Sequence, residues 1–451
     1  MQLELTKEYL ERLQLAVEEQ DIAFIRESMD GNHPADISQV LDELDTPSSK
    51  YVLDQLPVGT SAEIISDLDS ETRRRFLKVF DTTEVSALIP FMDSDDAVDM
   101  LDDLPVRFRE EVIALIEDPE TADHIIELLH YEDDCAGGLM AKELIKANAN
   151  WTVNQCIEEI RRQAENVEKI FSVYVVDDND RLLGRVSVKQ ILLSKSNTKI
   201  GDIGEEEVVS VESYREIGEV AELMRKYDLE AVPVVNIQNK LLGRITIDDI
   251  VDVITEQNEI DQQMMAGITQ SVEVDDSVWA SSRARLPWLV IGMAGGLAGA
   301  QLMGLFEDML TLIPTMAFFV PLITATGGNV GIQSSTVIIQ TIANKSFLGT
   351  DFWHTLFRML LVAVVNAVVI ATCVFGFLML QGRTSELAAL VTIALFSVVI
   401  LASVMGTVTP IVLDKYGVNP ALASGPFITT ANDLLGLTVY FSVAHLLHSL
   451  L

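Results

Sequence analysis

Apolar and polar positions follow three different rhythms along this chain of 451 residues. In the first part they recur in short bursts: "DTPSSKYVLDQLP" from Asp45, "DSETRRRFLKVFD" from Asp69, "DSDDAVDMLDDLP" from Asp93 and "DPETADHIIELLH" from Asp118, a period near 24. Each burst opens on an Asp suited to cap a helix and then sets apolar residues on one helical face. A unit this short cannot bury that face alone, so its repetition predicts a small α-solenoid.

The middle of the chain changes to a strand rhythm. "VYVVDDNDRLLGRVSVKQIL" (173–192) and "VPVVNIQNKLLGRITIDDIV" (232–251) lie 59 residues apart, and each reads as strand, turn, strand and helix start. An amphipathic helix precedes each, "VNQCIEEIRRQ" and "EIGEVAELMRKYD". The doubled pattern resembles a tandem of cystathionine-β-synthase-type (CBS) domains. In that family a Gly-x-x-Thr/Ser-x-x-Asp run can hold an adenine nucleotide such as ATP, with the acid on the ribose. The second copy has Gly243, Thr246 and Asp249; the first has Gly184, Ser187 and Gln190, and so lacks the acid. A nucleotide is thus expected in the second copy only. Thr246 and Asp249 serve equally well as a cap for the helix that follows.

The last part is apolar in long runs. Charge-free stretches at Leu286 to Phe306, Met309 to Asn344, Met359 to Leu380 and Leu387 to Leu413, and the apolar run that holds Asp433, are long enough to cross a bilayer, which takes roughly 20 residues. Five spans follow. The second stretch, 36 residues, would reach about 54 Å as one straight helix, so it must tilt, break or leave the membrane. Bases set the orientation: Arg283 and Arg285 precede the first span, Lys345 and Arg358 lie between the second and third, and Lys415 between the fourth and fifth. The positive-inside rule puts the N-terminus in the cytosol and, with an odd number of spans, the C-terminus outside.

Polar residues inside these spans carry the functional signal. Thr326, Asn329, Gln333, Thr336 and Gln340 recur at helical steps in the second span, after an expected break at "ATGGNVG". Asp433 is the one charged residue between Pro420 and Leu451, stacked with Thr429 and Thr430 behind Gly425 and Pro426. An intramembrane acid is costly and marks an ion or proton path, or caps a broken helix. Gly292 with Gly296, and Gly295 with Gly299, read as helix packing.

Charge sharpens the division. Of 68 acids and 31 bases, only six acids and four bases lie after residue 286, which leaves the front part with 62 and 27, a net of −35. Nucleic acid is excluded as a partner for such a surface, and cations are favoured. Acids concentrate at Asp93, Asp95, Asp96 and Asp99, and again at Asp248, Asp249, Asp252, Glu256, Glu259 and Asp261. By spacing they are a solvated helix face or divalent-cation ligands, without the order of an EF-hand. The three cysteines, Cys135, Cys156 and Cys373, form no CxxC pair and indicate neither a disulfide framework nor a zinc site. The charged N-terminus lacks the apolar core of a signal peptide. No Ser/His/Asp set or HExxH motif stands in the spans, so no enzymatic activity is expected.

Solenoid, CBS pair, acidic connector and five spans, in that order, resemble the MgtE-type magnesium transporters over essentially the whole chain. The motifs are "RLPWL" (Arg285 to Leu289), "PLITATGGNVGIQSS" (Pro321 to Ser335) and "NPALASGPFITTANDLLG" (Asn419 to Gly436). The resemblance implies a multidomain membrane protein: an acidic α-solenoid (1–135), two α/β CBS domains (136–200 and 201–261), a connecting plug-like helix (262–285) and an all-α five-helix pore domain (286–451). It implies a homodimeric Mg2+ channel in the plasma or inner membrane, closed when Mg2+ fills the two acid groups named above. Asp433 matches the pore acid of that family, and Gly328, Asn329 and Thr429 lie on the matching pore-facing motifs. Two departures bear on gating: Asn419 stands where members often have an acid, and "TEQNEID" (Thr255 to Asp261) carries fewer acids than is usual. The alternatives are a broader conduit that also passes Mn2+ or Co2+, and a membrane-anchored nucleotide sensor without transport.

Overall fold

The computed structural model describes residues 5–450 apart from 133, 164–168, 206, 270–271, 273–276, 344–351 and 424. Lys345, used above for orientation, falls outside the described residues. The chain divides into two compact units, Met1–Ile254 and Thr255–Leu451, and the division falls inside one helix.

The first unit opens with short helices, α1 to α10, running from Lys7–Glu18 to Pro119–Leu128. The recurring Asp residues start them as the periodicity predicts. Asp45 accepts the Ser48 N–H at 3.2 Å before α4 (Thr46–Leu53), and Asp69 accepts that of Thr72 at 2.9 Å before α6 (Ser70–Leu77). Asp118 accepts that of Thr121 at 3.0 Å before α10. Asp93 departs from the series: it precedes α8 (Ser94–Asp102) in the same extended conformation, but its carboxylate makes no capping bond.

Each CBS repeat builds a three-stranded sheet. The first is β1 (Ile145–Asn148), α11 (Val153–Gln163), β2 (Val173–Val176), β3 (Leu182–Val186) and α12 (Val188–Leu193). The second is β4 (Val211–Glu212), α13 (Ile217–Tyr227), β5 (Ala231–Val235), β6 (Leu241–Thr246) and α14 (Ile247–Met265). In both, the first pair of strands is parallel and the second antiparallel, with Val173 opposite Val186 and Val232 opposite Ile245. The hairpins turn through Asp180 (φ 60°) and Asn239 (φ 61°), 59 positions apart like the repeats, and both residue types tolerate a left-handed backbone. One apolar core joins the solenoid (Ile64, Phe76, Leu101) to the second repeat (Val220, Val232, Ile245). The first repeat has its own, around Cys156, Val173 and Ile191. Cys135 and Cys156 are buried, whereas Cys373 is exposed.

Among the described residues, the second unit holds five helical segments long and apolar enough to cross a membrane. They centre on α15 (Val278–Leu305), α17 (Val320–Ala343), α18 (Phe352–Leu380), α19 (Ser385–Lys415) and α20 (Gly425–Leu450), with the short α16 (Glu307–Leu312) after the first. Of the residues expected to form a connecting helix at 262–285, 262–265 end α14 and 278–285 begin α15. The interior lies on α19, whose Val391, Ala394, Leu395, Val398 and Val399 are buried, while α15 turns Leu289, Met293 and Leu297 outward.

The 36-residue apolar run does break, but not where the glycines stand. It breaks at Ile313 and Pro314, and α17 continues unbroken through "ATGGNVG". Packing accounts for this, because glycine's helix penalty of about 1 kcal/mol is offset by the close approach it permits. A Cβ on Gly331 would fall 1.9 Å from Asn432 Nδ2, and one on Gly406 would fall 2.4 Å from the Gly331 carbonyl oxygen. Three helices thus meet at a point where no larger side chain fits.

Candidate functional site

Two groups of oxygen donors stand out, one in each unit. In the second unit, Gly425 (φ 49°) starts α20 just after the 3-10 turn Pro420–Ala423. One and two turns on, this helix carries Thr429 and Asp433 to the glycine-bearing face of α17. There a recess of about 210 Å³ is lined by Thr324, Ala325, Gly328, Asn329, Ile332, Thr429 and Asp433. The lack of a side chain at Gly328 lets α20 come close: a Cβ there would stand 3.3 Å from Thr429 Cγ2 and 3.9 Å from Asp433 Oδ1. The Thr429 hydroxyl donates to the Gly425 carbonyl at 2.9 Å, leaving its lone pairs available. No basic side chain pairs with Asp433 among the described residues, and an acid inside an apolar span is costly without a partner.

All four residues named from the sequence for this region therefore come together. The polar stripe on the second span does not: of its five members only Asn329 lines the recess, and Gln333 and Gln340 are exposed on other parts of α17. The stripe followed one helical face, whereas the recess follows the faces that Gly328 and Thr324 present to α20.

In the first unit, carboxylates of Asp93, Asp95 and Glu143 converge, with one oxygen of each within 4.8 Å of the others. Ser94 fixes one wall, donating its N–H at 3.0 Å and its hydroxyl at 2.8 Å to Glu143. The same hydroxyl accepts the Lys142 N–H at 2.8 Å. Charge crowds this corner. Asp95 is raised well above the usual carboxylate range by burial, then by the charges of Asp96 and Asp249. Asp96 is pushed up to about 7 by burial and by the charges of Asp249, Asp93 and Asp99. Burial also raises Asp249, and burial with the charge of Asp248 raises Asp252.

The two acidic zones read from the sequence are sorted by this geometry. Asp93, Asp95, Asp96 and Asp249 act on one another, and Asp99 lies exposed one turn along α8. Asp248 and Asp252 flank Asp249, while Glu256 and Glu259 are exposed along α14. Asp261 accepts a hydrogen bond from Asn419 at 3.1 Å, so the position where an acid is common instead donates directly. Glu143 was not found from the sequence, because it belongs to neither acid run nor to a repeat.

Gly243 of the nucleotide motif packs tightly, since a Cβ there would lie 2.6 Å from the Ala141 carbonyl oxygen. Thr246 donates both its N–H, at 3.1 Å, and its hydroxyl to Asp249, which is the local capping arrangement.

Three family models cover most of the chain. A divalent cation transporter model matches residues 320–443, the MgtE intracellular N domain matches 32–134, and the CBS domain matches 136–196 and 200–256. These matches, on five apolar helices and an intramembrane carboxylate, define a multi-pass divalent-cation transporter with attached CBS domains, and not an enzyme. A magnesium transporter MgtE of Thermus thermophilus is 31% identical over 96% of this chain and 97% of its own length, and the chain belongs to the MgtE family. Two solved structures are similar to the front part. The soluble part of a magnesium transporter has 30% identity and a TM-score of 0.51, covering 56% of this chain and 98% of that one. The cytosolic domain of the Mg2+ channel MgtE in complex with ATP has 33% identity and a TM-score of 0.51, covering 54% and 99%. The family carries Mg2+ across membranes, and the acidic cluster of the first unit suits a metal of that kind.

Proposed function

We propose that this chain is a homodimeric, Mg2+-selective channel for Mg2+ uptake across the plasma or inner membrane, its N-terminus in the cytosol and its C-terminus outside. The carrying observation is Asp433, without a basic partner among the described residues, at a recess it shares with Asn329, Gly328 and Thr429. Carboxylate, amide, hydroxyl and carbonyl oxygens suit Mg2+, which dehydrates reluctantly and keeps its waters. Softer metals are less favoured by an oxygen-only lining, whereas Mn2+ would also suit it, which keeps a broader conduit for Mn2+ or Co2+ as the alternative. In a two-fold dimer, two Asp433 carboxylates near the axis would repel unless a cation lies between them.

Cytosolic Mg2+ closes the channel by filling acidic sites. Asp93, Asp95, Asp96 and Asp99 of the solenoid (1–135) act with Asp248, Asp249, Asp252, Glu256, Glu259 and Asp261 at the end of the second CBS domain (201–261). Convergence of three oxygen donors, one of them Glu143, supports this role. The first CBS domain (136–200) and the connecting segment (262–285) link sensing to the pore domain (286–451). An adenine nucleotide at Gly243, Thr246 and Asp249 is supported by the ATP complex of a similar cytosolic domain. ATP would there displace the capping bond between Thr246 and Asp249.

Flux into proteoliposomes tests the pore. Asp433→Ala is expected to abolish Mg2+ uptake, and wild-type uptake by that variant refutes the assignment. For sensing, Mg2+ in the millimolar range is expected to protect the front part from protease, and protection that ignores Mg2+ refutes that role.

A further inference from the structure

Arg244 is the side chain that the mechanism above leaves unused. It sits on β6, where its backbone exchanges hydrogen bonds with Ala141 at 2.9 and 2.8 Å, two residues before Glu143. Its guanidinium is buried, with 5% of the side chain exposed. It donates to the Lys169 carbonyl at 2.9 Å, lies 5.3 Å from the centre of the Phe171 ring, and reaches Asp93 Oδ2 at 3.5 Å. Its Nε has no hydrogen-bond partner among the described residues.

We propose that Arg244 is a tethered cation that competes with Mg2+ for Asp93 and so sets the Mg2+ concentration at which the sensing group fills. The proposal rests on the sensing role of Asp93, Asp95 and Glu143 given above. Asp93 occupies a helix-capping position yet gives its carboxylate no part in the cap. The guanidinium stays charged at every working pH, so it does not vacate the corner by losing a proton. A divalent ion bound to Asp93 must accept this buried positive neighbour, and burial leaves the repulsion poorly screened. At 3.5 Å the ion pair is longer than the usual 2.7–2.9 Å of a charged hydrogen bond, while Arg244 is anchored by the Lys169 carbonyl and the Phe171 ring.

The test is a Mg2+ titration of protease protection on the purified full-length protein, comparing wild type, Arg244→Gln, Arg244→Met and Arg244→Lys. Removing the charge is expected to lower the half-protecting Mg2+ concentration by roughly five- to tenfold, within the range of ordinary site couplings. Arg244→Lys, whose ammonium the nearby carboxylates keep charged, is expected to stay within about twofold of wild type. Arg244→Met keeps the packing of the stem and supplies the result if the Gln variant does not fold. A folded neutral variant with an unchanged or raised half-protecting concentration overturns the proposal while leaving the sensing role intact. A wild type that shows no Mg2+ response overturns both. A shift of the same size in Arg244→Lys would show packing, not charge, to be responsible, and also overturns it.

Discussion

Lowering the pH from 8 to 6 without Mg2+ is expected to stabilise the first unit, the reverse of the usual behaviour of paired surface carboxylates. Asp96 is raised to about 7 by burial and by its acidic neighbours, and Asp95 and Asp249 are raised for the same first cause. In the unfolded chain such groups titrate near 3.9. A carboxyl whose pKa rises on folding contributes stability that is fully present below the unfolded value and is lost as pH climbs through the folded value. For Asp96 that window runs from about 4 to about 7, and at 1.36 kcal/mol per unit its ceiling is about 4 kcal/mol. Between pH 8 and 6 it contributes about 1.4 kcal/mol, which for a unit of this size is a rise of about 3 to 5 °C in melting temperature. Calorimetry in a chelator at pH 6, 7 and 8 measures it. Asp96→Asn, neutral throughout, should remove that share of the slope. With Mg2+ present the trend should weaken or reverse, because the metal takes the ionised carboxylates. A melting temperature that is constant or falls from pH 8 to 6 without Mg2+, or a slope unchanged in Asp96→Asn, refutes the reasoning.

Three further outcomes follow from particular contacts. Glu143→Gln keeps an acceptor for Ser94 but removes one charge from the converging donors, so half-protection from protease should need roughly tenfold more Mg2+. Gly331→Val places carbon against Asn432 and Ile428, and should cost about 3 kcal/mol or more and reduce folded protein on size-exclusion chromatography; normal yield and flux would contradict the packing. Tyr440→Phe deletes the buried bond from its hydroxyl to the Met316 carbonyl at 3.0 Å, and should lower stability to denaturant by about 1–2 kcal/mol.

Much of the fold was legible because its signals are local. Long charge-free runs read as spans, and the 59-residue repeat read as paired sheets whose turns fall at Asp180 and Asn239. Asp433 was visible because one acid in an apolar run has few bland explanations. What escaped depends on tertiary packing. "ATGGNVG" looks like a helix break to local propensity, but the close approach of Asn432 and Gly406 makes it a helix crossing. Asp93 reads as a cap like Asp45, and only Glu143 and Arg244, 50 and 151 positions further on, show what its carboxylate faces. The polar stripe on α17 misled because helical spacing gives a face but not which neighbour that face meets.

The placement of the three cysteines gives the protein built-in reporters. Thiols react as thiolates, and burial holds Cys156 up to about 11 in the core of the first CBS repeat, where reagent cannot reach it. Cys135 is buried as well, and Cys373 is exposed on a helix apolar enough to face lipid. A membrane-impermeant maleimide should therefore label the folded chain very slowly, and each thiol it captures in the first unit records an opening of that unit. Followed against Mg2+ with no engineered label, the rate of capture becomes a clock for the breathing of the first unit.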